Sequence, residues 1–306
     1  MHSLSHIRTR RFPVADDTLA VALLTETFHD REGPERLRLR LGQARAKGAE
    51  LAVLPELPLH PWFPASREPR PDAADAPGEG REHGLAQAAA AEGIALLGGA
   101  VVEDPETGRR YNEGLLFNER GELLQRYRKT HLPREEGFWE AEHYEAGSDL
   151  PNPVPVRGFP VGVQVCSDVY RPAGCQLLAL EGARAILLPR ATPGESWDRW
   201  RMVLRTVALI SGAYLISVNR PEPEPGVPIG GPSVVVAPDG EVILETLDPV
   251  AVVLLEADRV RAARETYPGY LAVRDDLYAR GWGRVSGDDT HPYASRGSRE
   301  SLEGSL

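Results

Sequence analysis

Val161-Gly-Val-Gln-Val-Cys-Ser-Asp-Val-Tyr170 reads as a buried strand that halts at a cysteine. Val161, Val163 and Val165 alternate with small or polar residues, and Pro172-Ala-Gly174 followed by the apolar run Gln176 to Gly182 reads as a turn into a helix. The pattern places Cys166 at a strand-to-helix corner. A side chain at such a corner stands at the edge of a sheet, where free backbone N–H groups can activate a thiol and receive an oxyanion. Taken alone, the segment leaves two alternatives open: a reactive thiol, or the small buried hydrophobe that most lone cysteines are.

Outward from this corner, strands and helices alternate. Thr18 to Leu24 reads as the first strand, Pro34 to Lys47 as a helix ending at Gly48, and Glu50-Leu-Ala-Val-Leu-Pro-Glu56 as a second buried strand. That strand delivers Glu56 at its C-terminal end, where ligands of α/β proteins usually bind; a solvated loop acid is the alternative for this residue alone. The proline-rich stretch from His60 to Gly78 is a loop placed to cover a site. Gly84 to Gly93 is helical, Ile94 to Val102 a strand, and Pro105-Glu-Thr-Gly108 a turn. A hairpin of Leu115 to Asn118 and Leu123 to Tyr127 runs directly into Lys129, which by itself would pass for an exposed lysine. Glu135 to Gly147 is irregular, acidic and interleaved with aromatics. Beyond Cys166 come a strand at Ala185 to Pro189, a long helix at Trp197 to Ser211, a strand at Tyr214 to Asn219, a hairpin from Ser233 to Glu245 and a last strand at Val250 to Leu255. This order predicts a two-sheet α/β sandwich in one domain, residues 18–279. An N-terminal arm, residues 1–17, precedes it, and a tail, residues 280–306, follows that is disordered or wraps a neighbouring subunit.

The 306 residues carry 35 Lys plus Arg against 45 Asp plus Glu, a balance of −10, which disfavours nucleic acid and makes a small molecule the expected partner. Cys166 and Cys175 are the two cysteines, so no disulfide framework is implied and a reducing compartment fits. The basic stretch Met1 to Arg11 is not followed by the apolar segment of a signal peptide. The longest apolar run, Val207 to Val218, is shorter than a membrane span. These features point to a soluble cytoplasmic protein with no membrane partner.

In order, Pro55-Glu56 at a strand end, Tyr127-Arg-Lys129-Thr-His-Leu-Pro133 and Gly162-Val-Gln-Val-Cys166-Ser-Asp168 resemble the nitrilase, or carbon–nitrogen hydrolase, superfamily. The resemblance runs from about Leu19 to Leu255 and takes in Tyr111-Asn112, Leu180 to Pro189, Val218-Asn-Arg220 and Gly230-Gly-Pro-Ser233. It implies a four-layer α-β-β-α sandwich that forms homodimers or larger homo-oligomers. It also implies a triad of Glu56, Lys129 and Cys166, with neither metal nor organic cofactor. A second family glutamate maps to Glu140 through the pattern Glu-x-x-x-Tyr-x-x-Gly, which ends at Tyr144 and Gly147; Glu135, Glu136 and Glu142 are its rivals.

The implied chemistry needs these residue types. An amide carbonyl is a poor electrophile, so the sulfur must attack as a thiolate, a form that an ordinary cysteine populates to only a few per cent near pH 7. In the family scheme Glu56 takes the thiol proton and hands it to the departing nitrogen. Lys129 and the backbone N–H of Ser167 face the oxyanion, and Glu140 holds Lys129 or the attacking water. A thioester forms, and water releases the acid. A Cys-His scheme using His60, His83, His131 or His143 finds no protease signature around any of them. Within the superfamily the sequence looks most like aliphatic amidases and N-carbamoyl amidohydrolases, which release ammonia. Nitriles are the alternative substrate, and a catalytically silent binding subunit is the alternative role. Pro172-Ala173 and Ile210-Ser211 depart from that group, which often carries Pro-Glu and Glu-Asn there. Arg171 and Arg190 follow strands expected to end at the pocket, so each either binds a substrate carboxylate or is an ordinary exposed arginine. Trp62, Phe63 and Trp139 either wall the pocket or pack elsewhere.

Overall fold

The computed structural model describes residues 17–286; residues 1–16 of the arm and residues 287–306 of the tail lie outside the described residues. In the first sheet β1 (Thr18–Leu23), β2 (Leu51–Val53) and β3 (Ala95–Glu103) run parallel, and β4 (Arg110–Phe117) and β5 (Leu123–Arg128) continue it antiparallel. The second sheet repeats the plan. Its parallel core is β7 (Phe159–Val163), β8 (Ala185–Arg190) and β9 (Tyr214–Asn219), flanked by β6 (Val154–Val156) and by β10 (Ser233–Val236) with β11 (Val242–Thr246). The last strand, β12 (Ala251–Glu256), returns to pair antiparallel with β1, Thr18 opposite Glu256.

Parallel neighbours need crossover connections, and helices supply them. α1 (Gly33–Ala46) and α2 (Gly80–Glu92) join the parallel strands of the first sheet; α4 (Ala173–Leu180) and α5 (Trp197–Ser211) do so in the second, with the short α3 (Glu140–His143) between the halves. The period of two in the strands decides which layer each residue enters. Leu19, Val21, Leu51, Val53 and Leu97 share a core cluster with Val161, Val163 and Leu187 of the other sheet. Their alternates Ala22, Ala52 and Leu96 pack with Leu37 and Leu41 of α1 and Leu85 of α2. Burial on both faces explains why these strands read as nearly unbroken apolar runs. The result is the four-layer α-β-β-α sandwich implied by the sequence. The two sheets approach closely at Gly114, where a Cβ would come within 2.9 Å of Val163 Cγ1.

Strand direction places the chemistry. Two reversals separate β3 from β5, so β2 and β5 end at the same edge of their sheet, and β7 and β8 likewise end together. Backbone joins the two edges, Glu56 N–H donating to the carbonyl of Arg190 at 3.4 Å.

β6 and α6 (Ala257–Glu265) are among the elements that gave no signal in the sequence. β6 has only three residues, Val-Pro-Val, and α6 buries only Ala257 and Val260, too thin an apolar stripe to register. Backbone packing separates a compact unit ending at Gly269 from one beginning at Tyr270, which holds α7 (Asp275–Ser286), a helix that crosses the boundary set at residue 280. No helix of the described residues is long and apolar enough to cross a membrane.

Candidate active site

Three of the four candidate side chains sit just past a strand end. Glu56 lies three residues beyond β2, Lys129 directly after β5, and Cys166 opens a 3-10 turn, Cys166–Tyr170, before α4, while Glu140 begins α3. All are withdrawn from solvent, with exposures of 1% for Glu56, 0% for Lys129, 1% for Glu140 and 4% for Cys166. Lys129 Nζ is clamped between the carboxylates, 2.8 Å from Glu56 Oε1 and 2.7 and 2.6 Å from the two oxygens of Glu140. Asn112 Nδ2 spans the same pair, donating to Glu56 Oε1 at 2.8 Å and Glu140 Oε2 at 3.4 Å. Among the described residues Glu56 Oε2 has no hydrogen-bond partner, so the cluster keeps one bare acceptor oxygen.

Charge and burial set the protonation states. Burial alone would draw the Lys129 pKa down, but Glu140 and Glu56 outweigh it and hold it well above the usual lysine range, fixing an ammonium at the centre. Burial pushes Glu140 up to about 7, helped by the charge of Glu56 and opposed by Lys129 and Asn112. The Cys166 thiol is likewise pushed well up, first by burial and then by Glu56; Lys129 and a hydrogen bond from the backbone N–H of Ala191 act the other way. At rest the sulfur is a thiol and needs a base.

The backbone is strained at two places in the site. Cys166 has φ +47° and Leu57, directly after Glu56, has φ +48°, conformations that cost a non-glycine residue on the order of 1–2 kcal/mol. Buried side chains hold both. Arg220 donates to the carbonyls of Glu56 at 3.0 Å, Leu57 at 2.9 Å and His60 at 2.9 Å. Asp168 accepts from the backbone N–H groups of Val165 at 3.2 Å, Thr130 at 3.2 Å and His131 at 2.8 Å, and from the Tyr127 hydroxyl at 2.9 Å. It thereby staples the loop after Lys129 to the cysteine turn, and Ser167 Oγ reinforces the join by donating to the carbonyl of His131 at 2.5 Å.

The rivals to Glu140 go elsewhere. Glu142 pairs with Arg134 at 2.9 Å, and Glu135 and Glu136 are exposed. Gly147 closes the pattern because its N–H donates to the carbonyl of Lys129 at 2.8 Å, an approach so tight that a Cβ would lie 2.3 Å from the carbonyl oxygen of Arg128. The histidines are also engaged elsewhere: His60 Nε2 accepts from Val101 N–H, His131 meets Asp168, His143 donates to the carbonyl of Ser66, and His83 is exposed.

Trp62 is buried in a small apolar cluster with Leu57, Tyr144, Ala191, Val227 and Ile229, which brings it to the residues flanking the site, and its Nε1 donates to Gly137 O at 2.9 Å. Phe63 is buried with its ring edge-on to His60. Trp139 is half-buried under the guanidinium of Arg67, 3.8 Å from its ring. Arg171 is exposed and reaches only the carbonyl of Tyr170, at 3.5 Å, whereas Arg190 is fully buried at the end of β8. Asn112, Asp168, Arg220 and the Ala191 N–H went unassigned in the sequence. The only cue available was a polar residue within or just after an apolar strand, which marks Asn112 and Arg220 but names no partner.

The family model described as Carbon-nitrogen hydrolase matches residues 15–265. The omega-amidase NIT2 of Xenopus tropicalis is 31% identical over 257 residues, 78% of this chain and 87% of its own. The N-carbamoylputrescine amidase of Arabidopsis thaliana is 27% identical over 186 residues, 55% of this chain and 62% of its own. An amidase of Nesterenkonia sp. AN1, solved with the acetamide moiety of fluoroacetamide added covalently at its active site cysteine, has a TM-score of 0.70 at 26% identity, over 89% of this chain and 99% of its own.

Proposed function

The chain belongs to the carbon–nitrogen hydrolase family, and from that premise we propose that it cleaves the C–N bond of a small amide or N-carbamoyl compound through a thioester on Cys166, releasing ammonia. The observation that carries this reading is a buried ammonium, Lys129, held by two carboxylates of which one, Glu56, keeps an oxygen with no partner among the described residues. Relatives named as amidases, and the acetamide moiety on the Nesterenkonia cysteine, support it.

In this scheme Glu56 Oε2 accepts the Cys166 proton as the sulfur bonds to the carbonyl carbon and the C=O electron pair moves onto oxygen. Lys129 and the N–H of Ser167 stabilise that oxyanion; one such donor is worth about 3 kcal/mol of barrier. The oxyanion collapses, the C–N bond breaks, and Glu56 returns its proton to the nitrogen, which leaves as ammonia. Water then attacks the thioester with Glu56 again as base, and the acid departs with the sulfur reprotonated. Glu140 keeps Lys129 in register throughout.

Purified protein is expected to release ammonia from short amides or from ureido acids and ureido amines, with carbon dioxide accompanying it only for the ureido substrates. Turnover of nitriles alone would move the chain to the nitrile-hydrolysing reading, and turnover of nothing in this screen would leave the silent binding role.

Glu140 sets the expected pH response. Since burial and the charge of Glu56 raise it to about 7, kcat/KM should climb through a limb near pH 7 as Glu140 gives up its proton. In Glu140→Gln that limb should be absent. For stability the sign is the opposite: a raised carboxyl favours the fold while protonated, so its contribution is complete below its usual 4.5 and is lost as pH rises through about 7. Thermal melts should therefore show the parent losing stability relative to Glu140→Gln across that window. A limb that stays put in the variant would remove Glu140 from the scheme.

The same proposal takes residues 18–279 as the hydrolase domain, places the chain in the cytoplasm and makes it a homodimer or larger homo-oligomer. Two free cysteines suit a reducing compartment, and the outer face of α5 leaves Met202, Leu209 and Ile210 exposed, as a subunit contact would need.

A further inference from the structure

Among the described residues, the buried side-chain oxygens and nitrogens without a hydrogen-bond partner are Glu56 Oε2, His60 Nδ1, Gln125 Oε1, Tyr144 Oη and Ser211 Oγ. Two of these belong to residues at the Lys129 clamp. Glu56 Oε2 serves as the base, whereas Tyr144, 6% exposed, closes the turn opened by Glu140 and has no task in the proton relay. A phenylalanine would fill the same apolar space without stranding a hydroxyl, and a buried hydroxyl left unbonded costs stability. The phenol oxygen therefore calls for a partner that arrives with the substrate.

Several contacts tie Tyr144 to the reacting groups. Its backbone N–H donates to the carbonyl of Glu140 at 2.9 Å. Its ring shares an apolar cluster with Leu57, directly after Glu56, and with Ala191, whose N–H bonds to the Cys166 sulfur. Burial first, and then the charges of Glu140 and Glu56, push its pKa well up against Lys129 and Arg220, so it stands at the clamp as a neutral phenol. The charges acting most on it are carboxylates, and such acceptor-rich surroundings suit a nitrogen gaining a proton better than an oxygen gaining negative charge.

We propose that the Tyr144 hydroxyl oxygen accepts an N–H of the leaving nitrogen beside Glu56, which makes Tyr144 a further catalytic residue and sets the site for leaving nitrogens over leaving oxygens. As the oxyanion collapses, the C–N electron pair passes to the nitrogen while Glu56 delivers its proton there. The nitrogen grows more positive until the bond breaks, and its N–H bonds strengthen with it, so the contact is worth most where the barrier lies. This deepens the hydrolase reading and rests on it.

The test compares butyramide with methyl butyrate, and N-carbamoylglycine with N-(methoxycarbonyl)glycine, in the parent and in Tyr144→Phe. Each pair shares its acyl group and differs in whether nitrogen or oxygen leaves. On whichever nitrogen compound the parent turns over, Tyr144→Phe should lose roughly 10- to 100-fold in kcat/KM, chiefly through kcat. Its ester partner should change little, because the departing methanol oxygen has no N–H to give. The variant should also melt at or above the parent, since an unbonded buried hydroxyl is gone. Equal losses for both leaving groups, a loss confined to KM, no loss, or a variant that melts lower or fails to fold would each overturn the proposal while the nucleophile assignment stands. The kcat of the nitrogen compound and the melt decide the matter even where an ester is not turned over. Turnover of none of the four would overturn the hydrolase reading itself.

Discussion

Cys166→Ala is expected to abolish ammonia release, by at least about four orders of magnitude, while melting close to the parent. The loss is large because no neighbouring group can take over: water lacks the nucleophilicity of sulfur, and Glu56 would be a base without a proton to collect. The fold should persist because the change removes one atom and leaves a Cβ at the same left-handed backbone position. Cys175 is the internal control. It is fully buried in α4, its thiol is pushed up to about 12 by burial, and Cys175→Ala should lose some stability but keep turnover. An ammonia assay and a thermal melt on both variants suffice; a Cys166→Ala protein as fast as the parent would mean that sulfur is not the nucleophile.

Lys129→Met should damage stability and activity together. Removing the ammonium leaves Glu56 and Glu140, each within 2.8 Å of its nitrogen in the parent, buried with no cation between them. Breaking a buried ion pair from one side costs about 3–5 kcal/mol, visible as a lower denaturant midpoint. Turnover should fall by about 10³-fold or more as the oxyanion loses its fixed charge. The two effects separate in the double variant Lys129→Met with Glu140→Gln, which removes one stranded carboxylate. It should regain much of the stability and none of the activity. If Lys129→Met is as stable as the parent, the carboxylates are neutralised by something else and the electrostatic account of the site fails.

The placement of Glu56, Lys129 and Cys166 at strand ends was legible because each lies within three residues of a strand whose pattern is strong in sequence. The four-layer architecture was legible for a related reason: both halves repeat a strand-helix-strand-helix-strand order with apolar residues on both faces of the parallel strands. What the sequence concealed depends on partners far along the chain. Arg220 meets the carbonyl of Glu56 across 164 positions, and nothing local to either residue announces the other. Asp168 lies inside the stretch that decides the fold, yet its work is to bind the loop after Lys129. Glu140 and Glu142 differ by two positions, and only the short turn of α3, which sends residues two apart to different sides, directs one to Lys129 and the other to Arg134. Arg171 and Arg190 looked equivalent; a strand end buried one and left the other in solvent.

Glu56 and Lys129 hang from one slab of the molecule and Cys166 from the other, so the proposed constellation exists only while the two slabs keep a single alignment. A conservative swap deep in the seam, at Val163 facing Gly114, never touches a reacting atom. A slip of a few tenths of an ångström there would misaim the proton transfer, so turnover can fail in a protein that is still fully folded.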